Sequence, residues 1–257
     1  MYGVPELLAE YVTDQKEVME LDEHEMIVDL MSYAVGCMFG RYSYSSRGLQ
    51  FAGEYGKEEK YESFVDDDNI IPICDDEYFL DDIVTKFISF ISDVFGNEFL
   101  EENLLYIANL LGGSGNSRQV IRNYYQNSFY ADHVKKYQKR PIYWLFESGK
   151  KNGFKCLVYM HRFKADTIAR IRTDYLHELQ SKFRTELIDI ERRISTSSTS
   201  ERVKLNKKLK IMKEQSEELV KYEEKIHHLA DQMISIDLDD GVKENYAKFQ
   251  DVLAKIK

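Results

Sequence analysis

Apolar residues recur at three- and four-residue intervals along most of this chain, and the interval breaks once, near its middle. Ile27, Leu30, Met31, Ala34, Val35 and Met38 form the first such stripe. Asp22, three residues before Glu25, resembles a capping box, so a helix is predicted from there to about Gly40. Ile83, Val84, Phe87, Ile88, Ile91, Val94 and Phe95 predict a second helix over Leu80 to Phe95, closed by Gly96. Leu100, Leu104, Leu105, Ile107, Ala108 and Leu111 mark the next, which ends in GGSGNS, and Val120, Ile121, Tyr124, Tyr125 and Phe129 begin another. Between the first two, RYSYSSRGLQFAGEYG reads as short aromatic-rich strands or a loop. The run Asp66, Asp67, Asp68 then leads into NIIPI, a connector in which Pro72 pushes Ile71 toward an extended form.

The period changes between Lys139 and Phe163. Ile142 to Phe146 and Phe154 to Met160 are strand-like runs, and GKKNG between them predicts an antiparallel hairpin. Tyr143 and Leu145 on one face, and Ile142, Trp144 and Phe146 on the other, are all apolar, so both faces should be covered and Trp144 should be core. Helical spacing then resumes through Ile168, Ile171, Tyr175, Leu179, Phe183, Leu187, Ile190 and Ile194. That predicts a helix of roughly thirty residues, about 45 Å long at 1.5 Å per residue. STSSTS interrupts it, with Ser200 as N-cap before Glu201, and Leu205, Leu209, Met212, Leu219, Ile226, Ala230 and Met233 follow a heptad-like register. A final helix from about Val242 to Ile256 is predicted after DLDDG. The fold class is therefore mainly α (α+β): a helical bundle, a central antiparallel β-hairpin and a long antiparallel coiled-coil helical hairpin. The corresponding division is an acidic helical subdomain at 1–132, a basic hairpin segment at 133–164, and the helical hairpin with the terminal helix at 165–257.

Composition agrees with this picture, since 257 residues with 43% hydrophobic side chains can bury a core, and three prolines and thirteen glycines leave helices largely unbroken. Cys37, Cys74 and Cys156 are far apart and form no CxxC pair, which points to a reducing cytoplasm and away from a disulfide framework or thiolate zinc site. MYGVPELLAEYV lacks the basic start and apolar core of a signal peptide, and nowhere do eighteen apolar residues run together, so no membrane partner is expected. The net charge of −10 conceals a segregation. Eight basic side chains face 26 acidic ones up to residue 132, 21 face 8 from 133 to 213, and 6 face 11 beyond.

Motifs for chemistry fail on spacing. HEMIV at His24 would need its second histidine where Val28 stands, and DLDDG at Asp237 has glycine fifth instead of sixth for a calcium loop, so a helix N-cap accounts for it better. GGSGNSR lacks a GK[ST] ending and follows no strand, which makes it a helix-to-helix turn. No metal ligand set and no catalytic residue is assigned.

Five blocks have a distinctive composition: MSYAVGCMFGRYS at 31–43, DDDNIIPICDDEYFLDDIVTKF at 66–87, KRPIYWLFESGKKNGFKCLVYMHRF at 139–163, RTDYLHELQ at 172–180 and IDLDDGVKENYAKFQ at 236–250. Together, and in this order, they resemble the C-terminal region of PglX, the adenine-specific DNA methyltransferase of bacterial BREX phage-defence systems. The resemblance implies a parent enzyme in which an S-adenosylmethionine-dependent domain comes first, target-recognition sequence follows, and a region like this one closes the chain. The family's catalytic Asn-Pro-Pro-Tyr, which holds a flipped adenine, has no counterpart here, because Pro5, Pro72 and Pro141 are never adjacent. The chain thus resembles a non-catalytic accessory domain, with S-adenosylmethionine expected only in the full-length enzyme. Expected partners are the methyltransferase and target-recognition domains, other BREX proteins, and DNA through the basic block. Lys135, Lys136, Lys139, Arg140, Lys150, Lys151, Arg162, Arg170 and Arg172 are the residues expected at phosphates. If about six engaged, affinity would fall roughly a thousandfold between 50 and 200 mM salt. The alternative is a stand-alone helical protein-protein interaction module that sets Arg202, Lys204, Lys207, Lys208 and Lys210 against an acidic surface. A third reading, a nuclease or phosphate-binding enzyme built on Asp132, Glu147, Lys150 and the GGSGNS turn, lacks the Glu-x-Lys spacing it needs.

Overall fold

A computed structural model describes residues 22–52 and 63–256, which are mainly helical with one small antiparallel sheet. The chain forms two compact units, one from the residues up to Asp68 together with Asp81–Lys139, the other from Asn69–Leu80 together with Arg140–Lys257. No helix among the described residues is long and apolar enough to cross a membrane.

The first unit is helical. Helix α1 (Glu23–Met38) starts where its cap predicts, with the Asp22 carboxylate accepting from the Glu25 N–H at 3.0 Å, and it buries Ile27, Met31, Ala34, Val35 and Met38. Of the two readings of the stretch after it, short strands or a loop, the described part is a loop through Phe51 with a single bridge residue at Ala52; residues 53–56 of that stretch lie outside the described residues. Helix α2 (Ile83–Phe95) begins later than the apolar run suggests, because the Asp82 carboxylate takes the N-cap and accepts from the Val84 N–H at 2.9 Å. Leu80 is left outside the helix and 98% exposed. A one-turn 3₁₀ segment (Asn97–Phe99) leads into α3 (Leu100–Leu110). GGSGNS is the helix-to-helix turn expected: Gly112 and Gly115 have φ of +76° and +102°, and a Cβ on Gly113 would lie 2.2 Å from the Val120 side chain. Asn116 caps α4 (Ser117–Asn127) by accepting from the Gln119 N–H at 3.2 Å. The apolar run through Phe129 is two helices, since Ser128 leaves helical geometry at φ −118° before α5 (Phe129–Lys136). Helix α1 packs on α2, α3 and α5, and α2 on α3 and α4. Edge-to-face rings fill the centre, Phe87 on Tyr125 at 5.7 Å and Phe64 on Phe90 at 5.4 Å. Within it lies a buried ion pair in which Arg122 donates twice to Asp82, at 2.7 and 2.9 Å.

The second unit holds the sheet. Strands β2 (Tyr143–Glu147) and β3 (Lys155–Tyr159) form the predicted hairpin, with Tyr143 opposite Tyr159 and Glu147 opposite Lys155. Both faces are covered, and Trp144 is fully buried with its Nε1–H donated to the Pro141 carbonyl at 3.1 Å. NIIPI is more than a connector: β1 (Ile71–Pro72) pairs antiparallel with β3, giving the order β1-β3-β2. The buried Asn69 amide extends that pairing, donating to the Tyr159 carbonyl at 2.9 Å and accepting its N–H at 3.2 Å.

A 30-residue helical span follows the hairpin, made of α6 (Thr167–Arg170), a π segment (Ile171–Leu176) and α7 (His177–Thr196). Helix α8 (Thr199–Ala230) returns antiparallel, as its cross-pairs Arg193 with Glu201, Lys213 with Glu191 and Arg172 with Glu223 require. Its N-cap is Ser198, not Ser200. Ser198 has extended ψ of 160° and places its hydroxyl at the Glu201 N–H, whereas Ser200 already lies inside the helix. Asp237 caps the short turn Leu238–Asp240 ahead of α9 (Gly241–Ala247). The predicted helix to Ile256 stops there, because the terminal segment runs along the free edge of β2: Glu147 N–H donates to Val252 at 3.1 Å and Ala254 N–H to Leu145 at 2.8 Å. Phe249 and Tyr246 pack against Trp144 on that sheet's face.

Candidate nucleic-acid interface

The residues expected at phosphates divide between the two units. Lys135, Lys136 and Lys139 belong to the first, at and after the end of α5, while Arg140, Lys150, Lys151, Arg162, Arg170 and Arg172 belong to the second. Four carry intramolecular carboxylate partners: Lys136 with Asp29 at 2.7 Å, Lys151 with Glu214 at 2.6 Å, Arg170 with Asp174 at 3.3 Å and Arg172 with Glu223 at 2.7 Å. The bond between Lys151 and Glu214 raises the amine and lowers the carboxyl. Burial works to raise Glu223, but the bonds from Arg172 and His177 outweigh it and hold the carboxyl below its ordinary value. Lys135, Lys139, Arg140 and Lys150 are exposed and make no ion pair among the described residues. These four stand open to an external anion.

Lys150 sits on a loop whose shape is set by α8. The Glu218 carboxylate accepts from the Ser148 hydroxyl at 2.7 Å, the Lys151 N–H at 2.9 Å and the Gly153 N–H at 3.1 Å. Ser148 Oγ in turn accepts the Phe154 N–H at 2.9 Å. Buried Gln215 donates to Asp75 at 2.9 Å and to the Lys151 carbonyl at 3.3 Å. The two glycines of GKKNG answer to this approach: a Cβ on Gly149 would lie 2.5 Å from a Glu218 oxygen, and one on Gly153 would lie 3.0 Å from the Gln215 carbonyl. Sequence reasoning found the loop and missed its anchor. The only signal was a glutamine and a glutamate three apart on α8, which any solvated helix face also carries.

Residues of the other readings are engaged locally. Asp132 accepts from the Tyr124 hydroxyl at 3.0 Å in the first unit, and Glu147 lies 4.0 Å from the buried Lys155 in the second, where burial lowers the lysine. Lys204, Lys207 and Lys208 border a hollow of about 340 Å³ with Asp75, Asp76 and Tyr78, and Lys208 is paired with Glu186. Burial raises the Asp75 carboxyl there. Arg202 donates to the Ser197 carbonyl at 3.4 Å, and Lys210 is exposed on α8. Three carboxylates, Asp66, Asp68 and Asp81, bring oxygens within 4.8 Å of one another, but Asp66 is already paired with Lys86 at 3.1 Å.

No family model matches the chain. Two curated relatives do. The chain is 41% identical over 248 residues, 91% of its length, to the adenine-specific methyltransferase BrxX of Escherichia coli O9:H4 (strain HS). It is 40% identical over 257 residues, 97% of its length, to the adenine-specific methyltransferase PglX of Lacticaseibacillus casei (strain Zhang). In both cases the match spans 21% of the relative. Across nearly all its length, this chain is similar to about one fifth of the adenine-specific methyltransferases PglX and BrxX, and the resemblance carried by its five sequence blocks holds.

Proposed function

We propose that the chain is a non-catalytic C-terminal accessory domain of an adenine-specific DNA methyltransferase of the PglX kind, which acts in BREX phage defence in the bacterial cytoplasm. It braces the target-recognition part of the enzyme, touches the DNA backbone and offers surfaces to other defence proteins. The observation that carries this is the near-complete match of the chain to a limited portion of two methyltransferases. The sequence adds that Asn-Pro-Pro-Tyr is missing, so methyl transfer and S-adenosylmethionine binding fall to the rest of such an enzyme.

The backbone contact rests on the exposed cations that make no ion pair among the described residues, Lys135, Lys139, Arg140 and Lys150. Each phosphate neutralised on a duplex adds about 0.9 to the slope of log affinity against log salt. Four such contacts predict a loss of about a hundredfold between roughly 50 and 200 mM salt, less than the roughly thousandfold loss for about six contacts. Titration of a labelled duplex with the chain at several salt concentrations tests this. A slope near zero, or an unchanged slope after Lys150→Ala and Arg140→Ala, removes the DNA contact from the reading.

A further inference from the structure

The loop that follows α1 has its own composition. Tyrosine alternates with serine in RYSYSSR, and an arginine stands at either end. With Tyr33 from α1, it borders an open surface hollow of about 510 Å³ lined by Tyr42, Tyr44, Arg47 and the intervening serines, a size within the range of ordinary ligand pockets. Tyr33 is 37% and Tyr44 44% exposed, whereas the other large rings among the described residues are mostly buried. Tyr33 and Tyr42 stack at 5.7 Å with 21° between their planes, and the Arg41 guanidinium lies 5.3 Å over the Tyr42 ring. Hydrogen bonds hold these rings in place: Tyr33 Oη donates to the Ser43 carbonyl at 3.1 Å, and the Arg41 and Tyr42 N–H groups share the Gly36 carbonyl at 2.8 and 3.3 Å. Gln50 N–H closes the loop on the Arg41 carbonyl at 2.9 Å. Arg47 is exposed at the rim.

We infer that this hollow is a binding site for single-stranded DNA, with an unstacked base against Tyr33 and Tyr44 and a neighbouring phosphate on Arg47. Two physical facts select that ligand. Every base has a π face that stacks on tyrosine whatever its sequence, and a half-exposed aromatic shelf with an adjacent guanidinium is the combination that holds it. Two of the eight basic residues in the first 132 positions lie in this loop, against 26 acidic ones. The lining itself offers one exposed guanidinium, Arg47, which suits one phosphate of a single strand and not the row of phosphates along a duplex. The inference rests on the reading of the chain as a DNA-contacting domain and names the strand state that one of its surfaces takes.

Fluorescence anisotropy with the whole chain tests it, using a labelled oligothymidylate of about twelve nucleotides and a duplex of the same length. Tyr44→Ala should weaken single-strand binding between about 5- and 150-fold, the loss of one base stack, while Tyr44→Phe retains it. Arg47→Ala should lower the salt slope on the single strand by about 0.7. Neither change should move the duplex affinity, and Lys150→Ala should move it. A chain that binds the duplex but gives the same single-strand affinity with Tyr44→Ala overturns this inference and leaves the backbone contact standing. A chain that binds neither strand state overturns both.

Discussion

Glu218→Ala isolates the contact that shapes the hairpin tip. The carboxylate accepts three hydrogen bonds, and its loss affects their donors unequally. Lys151 is exposed, so its N–H turns to water at little cost. Gly153 is buried, so its N–H loses a charged acceptor with no replacement, and the Ser148 hydroxyl keeps only its bond from Phe154. Hydrogen bonds to charged groups contribute about 1.5–3 kcal/mol each, and an orphaned buried donor costs about 1–3 kcal/mol. With the exposed bond discounted, the tip should lose about 2–3 kcal/mol. Native-state amide exchange at Lys151 and Gly153 should then accelerate by about 30- to 150-fold, with β2 and β3 amides protected nearly as before. Glu218→Gln, which keeps an acceptor oxygen, should fall between. Exchange at Gly153 within twofold of the parent protein would refute the argument, since it would mean that the loop keeps its shape without α8.

Three further outcomes follow from the core. Arg122→Met strands the fully buried Asp82 carboxylate, which burial already raises, and should cost about 3–5 kcal/mol in urea unfolding; the double variant with Asp82→Asn should recover part of it. His133, 2% exposed on α5, is held by burial, and by Lys136 and Arg41, down to about 3, below its unfolded value of about 6.5. The unfolded chain therefore binds the extra proton, and stability falls as pH drops from about 6.5 toward 3, by about 2 kcal/mol at pH 5. His133→Phe should lose that part of the slope, and an identical pH dependence in both proteins would contradict it. Ending the chain at Gln250 removes buried Val252, Leu253 and Ala254 and uncovers the β2 edge. It should cost about 4 kcal/mol or more and produce associated species on size exclusion, whereas an equally stable monomer would contradict the edge pairing.

Local periodicity was enough to place most helices and the hairpin, because an apolar face at fixed spacing has to be buried whatever covers it. The turn at GGSGNS and the cap at Asp22 were legible for the same reason, since each depends on residues within one turn of the chain. Kinship was legible from the order of five unusual blocks. Other features needed partners far away in sequence. Asn69 joins β1 to Tyr159 across 90 positions, and Val252 and Ala254 claim the edge of β2, which turned a predicted helix end into a tail bridged to the sheet at Leu253. The charges depended on tertiary structure most of all: nine basic residues look alike in a sequence, and folding set the distant carboxylates Asp29, Glu214 and Glu223 against three of them, while only Arg170 has its partner, Asp174, one helical turn away. Spacing records which face a side chain occupies, and only the packed chain determines what stands opposite.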